Sequence, residues 1–440
     1  MSKSFRSWDV DQGWLLPPSV HEFVPAGHLA HFVRDTVREG LDLSAIVSTY
    51  DEDRGQPPYH PAMMTALLLY GYSRGVYASR RLAQACEERV DFMAVSGLNK
   101  PDFRTIAEFR RRHLKALAEL FVQVLRLCQA AGLVKLGHVA VDGTKLKANA
   151  SRHKAMSYGR MKKTEPKLAA EVEAWLKAAE AADAADDAAF GSDLRGDETP
   201  DWMADKQKRL ERIRKAKAEL EAEAKADPAR ADPDGPGPSS GLQSVGRPKR
   251  AKDGGPPDAA QRNFTDPDSR IQPTRDGFIA GYNGQIAVDQ AHQIIVAQRL
   301  QTNPADYSAL VPLVDQAKAN LGRKLKEVSG DSGFATEANL AAMAERKVRA
   351  YLAPGRHGRD RDAEAIFKNS PRMTAMAKRL KRAGHKSRYR LRKQVVEPVF
   401  GQIKQARGFR QLLLRGLDKV RAEWALICTA HNLLKLAGAS

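Results

Sequence analysis

The chain has 440 residues, 42% of them apolar, and sets 72 Lys and Arg against 53 Asp and Glu for a formal charge of +19. That length allows two or three domains with substantial cores. A mean hydropathy of −0.50 without a long apolar run excludes a membrane span, and the charge calls for a polyanionic partner, nucleic acid above all.

The N-terminus, MSKSFRSW, has no apolar stretch of the signal-peptide kind, so the expected compartment is the cytosol, in association with the nucleoid. Residues 1–132 read as an all-α domain. Leu29, Phe32, Val33 and Val37 make one apolar face, and Gly40 is placed to end that helix. Pro61 opens a second helix, with Met64, Leu67, Leu68 and Gly71 along one side, and Ser79 precedes a third. A fourth is expected from a capping box of Thr105 and Glu108, running through Ile106, Phe109, His113, Leu117 and Cys128 to Gly132. Arg110, Arg111 and Arg112 fall on its outer side, where they serve either as a solvated face or as contacts to a DNA backbone. Cys86, Cys128 and Cys428 are far apart in helical apolar patterns and show no zinc spacing, which predicts reduced, buried thiols.

Residues 133–153 hold the most informative stretch, HVAVDGT at 138–144. A short apolar strand ends on Asp142 and is expected to turn at Gly143 into the basic tail of Lys145 and Lys147. A carboxylate at an exposed strand end beside lysines suits a metal ion next to phosphate. Residues 154–226 are rich in Ala, Glu and Lys, which predicts one or two exposed helices, a hairpin in the second case. Residues 227–262 turn to Pro, Gly, Ser and Asp and read as a disordered linker. Within it, GRPKR at 246–250 is a short basic motif of the sort that can enter an AT-rich minor groove, though such pentapeptides also arise by chance.

Strands return at 281–288 and 293–297, joined by a hairpin that contains Asp289. A helix follows with Asp306 as its expected N-cap, then a strand at 326–330 ending on Asp331, a helix from Thr336, a strand at 348–352 and a basic helical region from about Arg388. Asp306 and Asp289 are rivals to Asp331 as second carboxylate, better explained as a cap and a hairpin residue. The order matches an α/β fold of the ribonuclease H-like type: a mixed five-stranded sheet, preceded by the all-α domain and interrupted by a helical and disordered insertion after its first strand. In such a sheet the first and fourth strands are neighbours, so Asp142 and Asp331 come together. Glu397 is the third carboxylate. Pro398 is expected in the first turn of a helix, which would put Glu397, Gly401 and Lys404 on one face. A salt-bridged surface helix is the competing reading of that segment.

The blocks VAVDGTKLKA, DSGFATEANL and YRLRKQVVEPVFGQIK resemble the three catalytic blocks of bacterial insertion-sequence transposases of the DDE class. The last is similar to a Tyr, Arg, Glu, Lys signature, with Tyr389, Glu397 and Lys404 in place and either Arg390 or Arg392 as the arginine. The run PPYHPAMMTALLLYGYSRGVYASRRL resembles the helical N-terminal domain of these enzymes, and residues 263–440 complete the catalytic domain. The insertion departs from the pattern by following the first Asp. The resemblance implies a transposase that cleaves the ends of its element and joins the 3′-hydroxyls to target DNA. Asp142, Asp331 and Glu397 would hold two Mg²⁺ ions, with Mn²⁺ as an alternative. Lys145, Lys147, Tyr389, Arg390, Arg392, Lys404, Arg407 and the Arg110–Arg112 run would meet double-stranded DNA, both terminal inverted repeats and target, and a homodimer would hold the paired ends. A structure-selective nuclease on the same fold and a catalytically silent DNA-binding regulator are the alternatives.

Overall fold

The computed structural model describes residues 19–50, 57–190, 201–226, 255–274, 276–355, 367, 370–383 and 388–439. The N-terminal octapeptide, the 227–254 part of the linker reading and the basic motif at 246–250 lie outside the described residues. The chain forms two compact units, residues 1–134 with 401–409 and 425–440, and residues 135–400 with 410–424. The C-terminal segments in the first unit differ from the sequence division, which gave all of 263–440 to the catalytic domain.

The first unit holds helices α1 (Leu29–Asp35), α2 (Ser44–Val47), α3 (Pro61–Arg74), α4 (Ser79–Glu88), α5 (Val90–Ser96), α6 (Phe103–Arg112) and α7 (Leu114–Ala130). The single long helix expected from Thr105 to Gly132 is two helices broken at His113. Its cap is Asp102, whose side chain accepts from Arg104 N at 2.7 Å. The loop after α3 needs Gly75: φ is +75°, and a Cβ there would stand 2.7 Å from Arg407 O. Tyr72 and Tyr77 pack on Phe409 with ring centres 5.5 and 4.4 Å away, and Cys128 Sγ reaches Asn432 O at 3.7 Å. Those contacts explain why 401–409 and 425–440 belong with the helices. Cys86, Cys128 and Cys428 are free and buried, and burial pushes the Cys86 and Cys128 thiols up to about 11 and 12.

The second unit is built on β1 (His138–Lys147), β4 (Arg270–Thr274), β5 (Gly277–Asp289), β6 (Ile295–Gln301), β7 (Glu327–Gly330) and β8 (Arg349–Leu352). The order is β6-β5-β1-β7-β8, with β4 on the same edge of β5 as β6. Five of these strands are those read from the sequence; β4 is additional. β1 runs antiparallel to β5 from Val139↔Asp289 to Lys147↔Gly281 and parallel to β7 from His138↔Glu327 to Ala140↔Ser329. The expected turn at Gly143 is therefore continuous strand, because β5 is long enough to pair with β1 well past Asp142. Helices α10 (Leu310–Leu321), α11 (Glu337–Glu345), α12 (Pro371–Ala383) and α13 (Leu391–Gly401) complete this part, and α14 (Leu417–Ala437) closes the chain.

The insertion rises from a two-stranded sheet of β2 (Ala155–Ser157) and β3 (Gln261–Asn263), so its last described residues before 263 are ordered strand rather than linker. Helices α8 (Tyr158–Phe190) and α9 (Asp201–Ala226) pair over a core of their own that includes Met161, Leu168, Met203, Leu210 and Ile213. No described helix is long and apolar enough to cross a membrane.

Candidate active site

Parallel pairing of β1 with β7 brings Asp142 and Asp331 to the same sheet end, since continuing the Ala140↔Ser329 register by two residues sets one beside the other. Burial is the main force on the Asp142 carboxyl and pushes it up to about 7; Arg392 opposes that shift and the like charge of Asp331 adds to it. Asp331 is raised for the same reasons, by burial and then by Asp306, against Arg392. A buried pair of like charges favours a cation between them or a proton on one of them.

In this structure the cation is Arg392. Its Nη1 donates to Asp142 Oδ2 at 2.8 Å, and its Nη2 stands 3.9 Å from Glu397 Oε1. The guanidinium lies 5.9 Å from the Tyr389 ring centre. Arg392 is thus the arginine turned into the site, whereas Arg390 is exposed. Glu397 is half-exposed at its side chain. Among the described residues no three carboxylate, imidazole or thiol groups are gathered closely enough to hold a metal ion as they stand.

The helix that carries Glu397 begins seven residues before Pro398, so the proline is interior rather than in the first turn. An interior proline leaves the carbonyl four residues back without its helical donor. That carbonyl, Gln394 O, accepts instead from Gln293 Nε2 at 3.1 Å, which ties α13 to the β5–β6 loop. The α-helix ends at Gly401, and Gln402–Ala406 is π-helical. The spacing that put Lys404 on the Glu397 face therefore does not carry across.

A carboxylate that the sequence reading weighed as a rival to Asp331 and set aside as a helix cap also sits here. Asp306 makes no capping bond. Its Oδ1 accepts from Asn283 Nδ2 at 2.6 Å and Gln285 Nε2 at 2.8 Å, and Lys145 Nζ is 4.0 Å from it. The available signal was the pair of buried amides at alternate positions of a strand that pairs with the Asp142 strand. Asp289 behaves as the hairpin residue it was read to be, with Oδ2 accepting from Leu136 N and Oδ1 from Ala291 N.

Two family models match this chain: a transposase domain (DUF772) over residues 18–112 and a transposase DDE domain over residues 255–433. The chain belongs to the DDE-class insertion-sequence transposases. No curated protein and no solved structure matches it significantly. Asp331 and Glu397 of this transposase lie inside the DDE match, while Asp142 lies between the two matched stretches.

The basic residues expected at DNA divide by burial. Arg110 is not on an outer face: it is buried, and its guanidinium donates to Tyr77 O at 2.9 Å, Ser79 Oγ at 3.1 Å and Tyr72 Oη at 3.3 Å. Arg407 is also buried, bonded to Gln402 O and His431, and burial lowers it to about 10. Both are structural, because a side chain committed to the protein interior cannot reach a phosphate. Arg111 is exposed and paired with Glu108, and exposed Arg112 donates to Thr49 O. Lys145 is half-buried and donates to Pro304 O, whereas the Lys147 side chain is exposed.

Proposed function

We propose that this transposase cleaves the ends of its insertion sequence and joins the freed 3′-hydroxyls to target DNA, with Asp142, Asp331 and Glu397 as its catalytic carboxylates. The observation that carries the reading is the meeting of Asp142 and Asp331 at one sheet end, with Arg392 bridging Asp142 to Glu397. Partly buried like charges and an all-oxygen donor set fit hard divalent cations, Mg²⁺ or Mn²⁺. When bound, a pair of such ions would supply Lewis-acid stabilisation of the attacking and leaving oxygens of phosphoryl transfer.

The chain's own residues do the positioning. Asp142 and Asp331 each lie two residues beyond the last β1–β7 pair, Ala140↔Ser329, which sets them side by side at the sheet end. Glu397 comes from α13, whose exposed side chain can move toward the two aspartates once Arg392 lets go. Arg392, released from Asp142, becomes a guanidinium poised at the site for a DNA phosphate, with Tyr389 beneath it. Lys147, Arg390, Arg111 and Arg112 are the exposed cations proposed to contact DNA, Lys404 is a partly buried one proposed to do the same, and Lys145 is assigned the strand near the break. A homodimer holding two element ends, acting in the cytoplasm at the nucleoid, completes the reading. The test is a strand-transfer assay with terminal-repeat duplexes and a supercoiled target plasmid. Covalent joining of the element 3′ ends to the plasmid supports it; cleavage without joining would mark a nuclease instead.

A further inference from the structure

We propose that Asp306 is a fourth carboxylate of the same cation site, held in place by an amide clamp of Asn283 and Gln285. The inference rests on the reading of Asp142 and Asp331 given above and names one more residue that faces the ion.

Asp306 precedes a short 3₁₀ turn, Tyr307–Ala309, where a capping side chain would be expected to bond forward. Its carboxylate turns back to the sheet instead. Asn283 and Gln285 are two residues apart on β5 and so project from one face of the sheet. Both are fully buried, and each gives one amide N–H to Asp306 Oδ1. β5 sets Gln285 opposite Gly143 and Asn283 opposite Lys145. The clamp thus lies on the sheet face of Gly143 and Lys145, one residue on from Asp142, whose side chain leaves from the other face.

The glycines that follow the two aspartates make room for it. A Cβ at Gly143 would lie 2.6 Å from Asp306 Oδ1, and a Cβ at Gly333 would lie 3.3 Å from Asp306 Oδ2 and 3.1 Å from Asp331 Oδ1. A side chain at Gly143 would force Asp306 to shift, and one at Gly333 would press on it by a few tenths of an ångström. The second oxygen of Asp306 is thus directed at the space Asp331 also faces.

A separate observation points to a ligand. Asn283 Oδ1 and Gln285 Oε1 are buried acceptors without a hydrogen-bond partner, and Asn283 Oδ1 lies 3.1 Å from the Cβ position of Gly143. A buried unsatisfied acceptor is costly, and two of them beside gathered carboxylates are explained by a hydrated cation whose water donates to them. The competing account is an ion pair of Asp306 with Lys145, 4.0 Å away.

The test is Mn²⁺ binding to the full-length protein without DNA, followed by the electron paramagnetic resonance signal of free Mn²⁺. Wild type is compared with Asp306→Asn, Asp142→Asn and Asp331→Asn. The proposal expects Asp306→Asn to weaken Mn²⁺ binding at least tenfold, as the other two variants do, with far-ultraviolet circular dichroism unchanged. Wild-type affinity in Asp306→Asn alone, with binding lost in the other two, would overturn the proposal and leave the Asp142–Asp331 reading standing. Wild-type affinity in Asp142→Asn and Asp331→Asn would overturn both. Should Asp306→Asn not fold, Gln285→Leu keeps every carboxylate while removing one arm of the clamp. It is expected to weaken Mn²⁺ binding several-fold, and unchanged affinity there would equally overturn the proposal.

Discussion

Arg392 Nη1 donates to Asp142 Oδ2 at 2.8 Å, so the carboxylate proposed to hold a metal ion is already held by a cation of the protein itself. The same guanidinium reaches toward Glu397 at 3.9 Å. One side chain therefore stands between two members of the proposed triad. A metal ion held by Asp142 would compete with Arg392 for that carboxylate, and an arginine freed from it would be available to a phosphate.

Arg392→Gln should destabilise the metal-free protein, because it leaves the Asp142 carboxylate buried beside Asp331 without a cation. Breaking a buried pair this way costs about 3–5 kcal/mol when the remaining charge has no escape. Asp142 can take up a proton, so roughly 1–3 kcal/mol is expected here. Urea unfolding with and without Mn²⁺ checks it: Mn²⁺ should restore most of the loss. Equal stability of wild type and variant without metal would contradict this role for Arg392.

Stability should also depend on pH through Asp142, whose carboxyl is raised from 3.8 to about 7, chiefly by burial. Between those values the folded chain keeps a proton that the unfolded chain has released. The metal-free fold is therefore expected to lose stability as pH rises through that window, by on the order of 2–4 kcal/mol from this group. Asp142→Asn should flatten that part of the curve, and saturating Mn²⁺ should reverse its sign, since the ion favours the deprotonated form. Urea midpoints from pH 4 to pH 8 read all three. A metal-free midpoint that rises over this range in wild type but not in Asp142→Asn would refute the assignment.

Arg110 and Arg111 are adjacent in sequence and opposite in role. Arg110→Ala removes a buried guanidinium with three acceptors and should cost about 2–4 kcal/mol. Arg111→Ala removes one exposed pair with Glu108 and should cost under about 1 kcal/mol. Thermal melts of the two variants separate them. Similar melting temperatures would mean that Arg110 is not the anchor of the α3–α4 turn.

Much of this was legible in the sequence because it rests on local patterning. Five of the six strands of the ribonuclease H-like sheet show as apolar runs, and their order makes the first and fourth of them neighbours, which puts Asp142 beside Asp331. What escaped depends on long-range pairing. Gly143 looks like a turn until β5 is known to extend along β1 as far as Lys147. Asp306 looks like a cap because its position before a helical turn suits one, and only the folded sheet brings Asn283 and Gln285 against it. The helix periodicity around Arg110 fails at His113, where the chain breaks into two helices and the arginine turns inward. Pro398 suggested a helix start, yet Gln293, over a hundred residues earlier, supplies the donor that lets the helix begin before it.

The central claim is that Asp142, Asp331 and Glu397 act in cleavage rather than in holding DNA. Its most direct test is Mg²⁺-dependent nicking of a terminal-repeat duplex by Asp142→Asn, Asp331→Asn and Glu397→Gln, beside a gel-shift titration of the same duplex. Affinity for DNA comes from Lys and Arg at phosphates, so all three variants should bind nearly as wild type. Each should lose nicking by a factor of about 100 to 1,000, the scale of removing a group that stabilises the transition state. Substantial nicking by any one of them would contradict its place in the triad.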